Sequence, residues 1–196
     1  MDAFWALIEE CRRRFRDRDE RLAWLRGALA RKSLEEIVRF QVCLDQVTQD
    51  ASTEDLWAAA ARILGGRCSD DGFCYFGLWM VGLGRETFER ALVDPDALAD
   101  APEVQRLAAR PRADWNDDWP DWELLDYVAL EAYERAAGGA EGGEGCEDAF
   151  DDAVETQRLN DQGDRDPADG REDVRGGEET ALGLPRLGRL FAVGTG

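Results

Sequence analysis

The sequence predicts an all-α fold: a compact domain of about seven helices, two of them short, followed by a disordered acidic tail. Three observations lead to this class. Apolar residues recur at spacings of three and four through most of residues 1–137, as on the buried face of an amphipathic helix. Capping residues precede several of these runs, and glycine pairs end others. No stretch before residue 114 alternates with the period of two that a strand needs.

The first predicted helix combines an apolar stripe with a basic face. The stripe consists of Phe4, Ile8, Cys11 and Phe15. Acids interrupt a nearby cluster of basic residues, which are Arg12, Arg13, Arg14, Arg16 and Arg18. A solvated face with local ion pairs is the simplest interpretation. There are two alternatives of equal rank. One is a nucleic-acid patch, which conflicts with the acidity of the whole chain. The other is a docking surface for an acidic segment, such as the protein's own tail.

Three more helices precede the centre of the domain. The second helix carries a leucine stripe, formed by Leu22, Leu25 and Leu29. Ser33 and Glu36 have the spacing of a capping box, so we expect a third helix to begin between them. The fourth helix starts within residues 52–55, and the glycine pair at 65–66 ends it.

One long helix is predicted near residues 71–93, and we expect the other helices to pack around it. Ser69, Asp70 and Asp71 stand at its start, where acids complement the free N–H groups and the helix dipole. Its apolar face is formed by large side chains at spacings of three to five, namely Phe73, Phe76, Met80, Leu83, Phe88 and Leu92.

The rest of the domain is predicted to contain two short helices, a loop and a last helix. Asp94-Pro95-Asp96 begins the first short helix and Pro102 the second, because proline is favoured in a first helical turn. Residues 114–123 form a loop in which tryptophans alternate with acids. The last helix runs from about residue 122 to residue 137, where glycines stop it.

The composition changes at residue 138. Residues 138–196, called the tail below, contain 13 glycines, 15 acids and few large apolar residues. Such a segment buries too little apolar surface to offset its chain entropy, so we expect disorder there and a helical domain at residues 1–137. A small apolar island with Arg186 and Arg189 lies near residue 190. A frayed end is the simpler interpretation of that island, and a docking motif is the alternative.

Charge and composition exclude several functions. The formal net charge is −19, which opposes binding to nucleic acids and to anionic membranes and favours a basic protein partner. The chain has no histidine, so Ser-His-Asp and Cys-His catalysis and the HExxH metal motif are absent. Its five cysteines show no paired spacing, and the start of the chain lacks a signal-peptide pattern. We therefore expect a cytoplasmic protein with reduced thiols and no cofactor.

Two acidic groups are the candidate partner-binding residues. The first is the pair at the start of the central helix, Asp70 and Asp71. The second lies in the 114–123 loop, where acids flank aromatic rings that can hold a cation, and comprises Trp115, Asp117, Asp118 and Trp119. Each group has a simpler structural interpretation, as a helix cap for the pair and as tryptophans that anchor a loop for the second. The loop also resembles the start of a calcium site but lacks the required glycine and glutamate, so we expect no metal there.

Several stretches of the domain resemble a bacterial family known as domain of unknown function 4240, which is frequent in actinomycetes. The resemblance covers residues 1 to about 137 and is carried by residues 4–8 (FWALI), 35–40 (EEIVRF), 55–60 (DLWAAA), 65–86 (GGRCSDDGFCYFGLWMVGLGRE) and 127–134 (YVALEAYE). Ala61 and the tail depart from the family pattern. The resemblance implies a small, mostly helical cytoplasmic protein, and it supplies no activity or catalytic residue.

Two functional hypotheses follow. The leading one is an acidic protein-binding module without catalysis, such as an adaptor, a regulator or an immunity-type protein, because the chain is acidic and lacks a catalytic constellation. The alternative is a Mg²⁺- or Mn²⁺-dependent hydrolase that uses carboxylates. Its candidate ligands are Asp70, Asp71, Glu86, Glu89, Asp117 and Asp118. The sequence lacks the repeated acidic signature on two helices that such a site requires.

Overall fold

The computed structural model describes residues 1–66, 68–138, 145–163 and 183–192, and all regular structure in these ranges is helical, which confirms the all-α prediction. The α-helices are α1 (Asp2–Arg14), α2 (Arg18–Leu29), α3 (Leu34–Asp50), α4 (Glu54–Leu64), α5 (Asp70–Gly82), α6 (Arg85–Val93), α7 (Pro102–Ala108), α8 (Val128–Ala136), α9 (Cys146–Gly163) and α10 (Pro185–Leu190). Four 3₁₀ helices span Pro95–Asp100, Arg112–Asp114, Asn116–Asp118 and Glu123–Leu125. None of the described helices has the length and apolar character needed to cross a membrane.

Helix α3 begins, and helix α4 begins and ends, where the sequence signals place them, whereas α1 ends at Arg14, one residue before Phe15 of its predicted apolar stripe. Ser33 and Glu36 form both halves of a capping box at the start of α3. The Thr53 side chain accepts a hydrogen bond from the backbone of Leu56 and caps α4. Gly65 ends α4 in the left-handed conformation, with φ at 93°. Local capping chemistry therefore sets these helix boundaries.

The predicted central helix near residues 71–93 is wrong in one respect, because the chain forms two helices there, α5 and α6. The break falls at Gly84, whose φ of 93° and ψ of 161° are accessible almost only to glycine. Glu9 of α1 stabilises the new helix start, since its Oε1 accepts the backbone N–H of Arg85 at 2.8 Å. An apolar stripe continues across the break, so periodicity alone does not reveal it.

Helix α5 nevertheless lies at the centre of the fold. Every residue from Phe76 to Gly82 is buried, so the helix is covered on all sides over its last two turns. Helices α1, α3, α4 and α6 and the 3₁₀ helix Glu123–Leu125 all contact it. The expectation that the domain packs around this region is therefore confirmed for α5.

The segment before the last domain helix is irregular, so that helix starts at Val128 and not at residue 122. Trp122 has a non-helical backbone, and its N–H donates to the carbonyl of Tyr75 on α5 at 3.1 Å. Its ring lies against Gly82, where an added Cβ would approach the ring within 2.7 Å. This contact holds the irregular segment on α5, so α8 begins only at Val128.

Two segments of the tail fold against the domain. Helix α9 packs on α3 and α8, and α10 packs on α4 and on the 3₁₀ helix Pro95–Asp100. Phe150 and Val154 of α9, together with Leu187 and Phe191 at α10, belong to the same apolar core as the domain. For these segments the expectation of disorder is wrong, because each pair lies four residues apart on one helix face and is buried together. The rest of the tail lies outside the described residues.

Replacing Gly84 with alanine should destabilise the protein by about 1–3 kcal/mol, because alanine is strained in this backbone conformation. The new Cβ would also lie 2.5 Å from the Glu9 carboxylate that stabilises the start of α6. Chemical unfolding followed by circular dichroism measures this loss. Gly77→Ala is the matched control: an added Cβ there meets no atom within 4 Å, and alanine favours the helix. Equal stability of the two variants would contradict the role of Gly84.

Candidate functional site

The acids predicted to bind a partner lie on two separate elements. Asp70 and Asp71 are exposed in the first turn of α5, where Ser69 provides the cap by accepting from the Gly72 N–H. Asp117 and Asp118 are exposed on the 3₁₀ helix Asn116–Asp118, and Asp118 forms an ion pair with Arg110. Within the described part of the chain, no hydrogen bond or ion pair joins the first pair to the second.

The tryptophans of the 114–123 loop anchor it to the helices. Trp115 is 1% exposed, and its indole N–H donates to the Leu107 carbonyl at 2.9 Å. Trp119 lies on it with 5.2 Å between ring centroids and remains 37% exposed. Trp119 is therefore accessible to a partner, whereas Trp115 is part of the buried core.

A different set of acids forms the most developed polar site of the described structure, here called the acidic pocket: Asp94, Asp96 and Asp100. Asp94 ends α6 and caps the following 3₁₀ helix by accepting the Asp96 N–H at 3.1 Å. Pro95 occupies the first turn of that helix. The short helix brings the three carboxylates to one place, and Asp96 is only 5% exposed.

The acidic pocket holds the guanidinium group of Arg186, which comes from the tail. Nη2 lies 2.8 Å from Asp94 Oδ2, Nη1 lies 2.8 Å from Asp100 Oδ2, and Nε lies 3.2 Å from Asp96 Oδ2. Each nitrogen of the planar guanidinium thus faces its own carboxylate. This arrangement uses the fixed fork of arginine, which the single ammonium group of lysine does not reproduce.

Asp96 also caps α10 from outside that helix. Its carboxylate accepts the backbone N–H of Arg186 at 2.9 Å and that of Leu187 at 2.9 Å, while the N-cap residue Leu184 offers no side-chain cap. Burial alone would raise the pKa of Asp96, but these N–H groups and the guanidinium outweigh it and hold the pKa below its ordinary value. The docked segment therefore requires the ionised carboxylate.

Apolar contacts complete the site beside the acidic pocket. Leu187 is fully buried, and the ring of Phe191 meets Trp115 edge-on at 6.1 Å. The guanidinium of Arg112 lies 5.6 Å from the Phe191 ring and is held by the Ile63 carbonyl at 2.8 Å. The site thus combines one arginine subsite with two apolar subsites, and Trp115 contributes to it from the interior.

The sequence does not predict the acidic pocket. The Asp94-Pro95-Asp96 pattern predicts a helix start, which the structure confirms, but the side chains also bind a distant segment. The corresponding signal in the tail is the apolar island around Arg186, for which a frayed end is the simpler interpretation and a docking motif the alternative. These hydrogen bonds join residues about ninety positions apart, and no local sequence pattern predicts such a pairing.

The structure gives no geometric support to the metal-dependent alternative. Over the described ranges, no three His, Cys, Asp or Glu side chains come close enough together to hold a metal ion. Glu86 and Glu89 are exposed on α6, and Glu89 pairs with Arg85 at 2.6 Å. Asp126 is the other carboxyl of interest: the residue is exposed, yet partial desolvation and the neighbouring Asp45 raise its pKa. The Asp45 carboxylate already pairs with Arg158 of α9.

Comparison with known proteins identifies a family and no activity. A family model described as "Protein of unknown function (DUF4240)" matches residues 1–135. No curated protein matches the chain. No solved structure matches it either.

Replacing Asp96 with asparagine should release α10, because the neutral side chain loses the charge-assisted bonds to Arg186 and Leu187. The expected cost of about 2–4 kcal/mol corresponds to at least a thirtyfold loss of hydrogen-exchange protection at residues 185–191. Mass spectrometry of peptides from this segment measures it. Asp117→Asn, at an exposed acid with no polar contact among the described residues, is the control. Unchanged protection in Asp96→Asn would refute the capping role.

Docking of α10 should also weaken in acid. A carboxyl whose pKa is lowered by docking stabilises the docked state above its ordinary value of 3.8, and this contribution is lost as the pH falls through the lower docked value. The Leu187 amide resonance, followed by NMR, should stay constant near neutral pH and change below about pH 4. The Leu44 amide, in the core of α3, reports global unfolding separately. A Leu187 change that coincides with that of Leu44 would argue against local release.

Proposed function

Because the chain belongs to the DUF4240 family of proteins of unknown function, its function has to come from its own geometry, and we propose a non-catalytic protein-binding domain. In this proposal the acidic pocket recognises an arginine-bearing apolar segment of a basic partner protein. The observation that carries the proposal is the contact of Asp94, Asp96 and Asp100 with the guanidinium group of Arg186. In this chain, its own tail segment occupies the site proposed for the partner segment.

The positions of pocket and occupant support an intermolecular role. All three pocket acids and Trp115 lie within residues 1–135, which the family model matches. Arg186, Leu187 and Phe191 lie outside the matched residues. A site that lies within the matched residues and is filled by a segment outside them fits a domain that can also take such a segment from another protein.

Electrostatics favours a basic partner. The net charge of −19 steers basic proteins toward the surface and accelerates their association. The exposed Asp70, Asp71, Asp117, Asp118 and Trp119 belong to this proposal as outer contacts that raise the encounter rate. Binding energy comes from the pocket, since partly buried charge-assisted hydrogen bonds contribute more than exposed ion pairs.

The proposed setting is the cytoplasm, where the protein serves as an adaptor, a regulator or an immunity-type inhibitor. All five cysteines are unpaired thiols, as expected in a reducing compartment. These three roles share one physical act, which is the capture of a segment from another protein. The partner's identity decides among them.

A synthetic peptide tests the proposal. Leu187→Asp in the full chain places a charge at a fully buried position and should expel α10 from its site. A fluorescent peptide with the sequence of residues 183–192 should then bind this variant saturably, as measured by anisotropy. Wild-type protein should bind it at least about tenfold more weakly, because its own tethered segment competes.

Two controls make the peptide experiment specific. Adding Asp96→Asn to the Leu187→Asp chain should weaken binding at least about tenfold, whereas adding Asp117→Asn, at an outer contact, should slow association and change the affinity by no more than about twofold. A peptide with glutamate in place of Arg186 should not bind, because it puts a fourth acid into the pocket. Absence of binding to the Leu187→Asp chain, or equal binding of both peptides, would overturn the proposed function.

A further inference from the structure

A second charged cavity lies away from the acidic pocket, and its chemistry is the opposite. It has a volume of about 80 Å³ and is bounded by the α1–α2 connection, the end of α5, helix α7 and residues 118–122. Five arginines line it, namely Arg16, Arg18, Arg21, Arg106 and Arg110. Two acids, Glu103 and Asp118, share the lining, and a third, Asp121, pairs with Arg18 at 3.6 Å, which leaves a surplus of two positive charges in a protein of net charge −19.

The arginines are positioned by backbone carbonyls more than by acids. Arg21 is partly buried, and its Nε donates to the Phe15 carbonyl at 2.9 Å while Nη1 donates to the Gly82 carbonyl at 3.3 Å. Burial lowers the pKa of Arg21 from its ordinary value, in keeping with a cation that lacks a carboxylate counterion. Arg18 donates to the Trp119 carbonyl at 2.9 Å. The carbonyls fix Arg21 without neutralising its charge, whereas Arg18 also forms an ion pair with Asp121.

The two acids of the lining are already engaged. Glu103 lies 3.6 Å from Arg106 and 3.5 Å from Arg12, so it serves two cations. Asp118 pairs with Arg110. Arg16 is exposed and has no polar partner in the described part of the chain. The positive surplus therefore stays available to a ligand.

We propose that this cavity binds the phosphate group of a small phosphorylated molecule. At about 80 Å³ the cavity is large enough for one phosphate group and much smaller than the pockets of about 300 Å³ or more that hold drug-sized ligands. Guanidinium forks match phosphate oxygens, and the two arginines without a carboxylate partner in the described structure, Arg16 and Arg21, favour a dianion over a monovalent carboxylate. Trp122 also lines the cavity; it is 4% exposed, and its buried indole N–H has no partner among the described residues.

Neighbouring sequence features fit this ligand. The arginine run at residues 12–18 has a solvated face as its simplest interpretation, yet Arg16 and Arg18 line the same cavity as Arg106 of α7 and Arg110 just beyond that helix, far away in sequence. A nucleic-acid surface needs an extended basic patch, whereas this surplus is confined to one small cavity. The rest of the molecule repels polyanions, so only a compact anion gains from entering.

Calorimetric titration of the full-length protein with inorganic phosphate tests the site. We expect one saturable site, at least about tenfold weaker in Arg16→Gln and in Arg106→Gln, which is the loss expected for one charge-assisted hydrogen bond. Both residues are exposed, so their replacement leaves the core intact. Arg13→Gln and Arg39→Gln, at exposed arginines paired to a glutamate on their own helix, should bind phosphate like the wild type.

Two results would overturn the proposal. One is the absence of saturable phosphate binding below about 10 mM, weaker than a specific site would give. The other is an equal loss of affinity in the Arg13→Gln and Arg39→Gln controls, which would indicate a diffuse charge effect. Acetate at the same ionic strength should bind at least about tenfold more weakly than phosphate, and equal binding would likewise refute the assignment to a dianion.

Discussion

Helix α5 imposes the constraint on which the rest of the structure depends. Its last two turns are buried on every side, so neighbouring elements must cover the full circumference of the helix. Helices α1, α3 and α4 supply part of this cover, and α6 turns back at Gly84 to supply more. The Trp122 ring closes the remaining side against Gly82. The packing of these elements around α5 therefore requires small residues at positions 82 and 84.

The acidic pocket lies at the far end of the helix that begins after Gly84. Helix α6 ends at Asp94, and the following 3₁₀ helix, which contacts α4 and α10, adds Asp96 and Asp100. Three neighbouring carboxylates repel one another, and a guanidinium group with three donor nitrogens relieves this repulsion. The chain therefore holds a site for an arginine-bearing segment as part of its architecture, whether that segment comes from its own tail or from a partner.

Local signals predict local features well and distant pairings poorly. The capping box at Ser33 and the glycine end of α4 were predictable, because the residues that determine them are adjacent in sequence. The break at Gly84 was not, since it depends on backbone strain and on Glu9 from another helix. The acidic pocket was not predictable for the same reason, because Asp96 and Arg186 meet only after folding. Composition shows that the chain is acidic, but it does not show which of the acids come together to form a site.

The central claim is that Asp96 recognises arginine in a segment presented to the pocket, and a double-mutant cycle tests it most directly. The affinity of the 183–192 peptide is measured for the Leu187→Asp chain, with and without Asp96→Asn, using peptides that carry arginine or glutamine at position 186. The account predicts a coupling free energy of about 1.5 kcal/mol or more, as for close, partly buried charge pairs. Additive losses, with no coupling between the two positions, would contradict it.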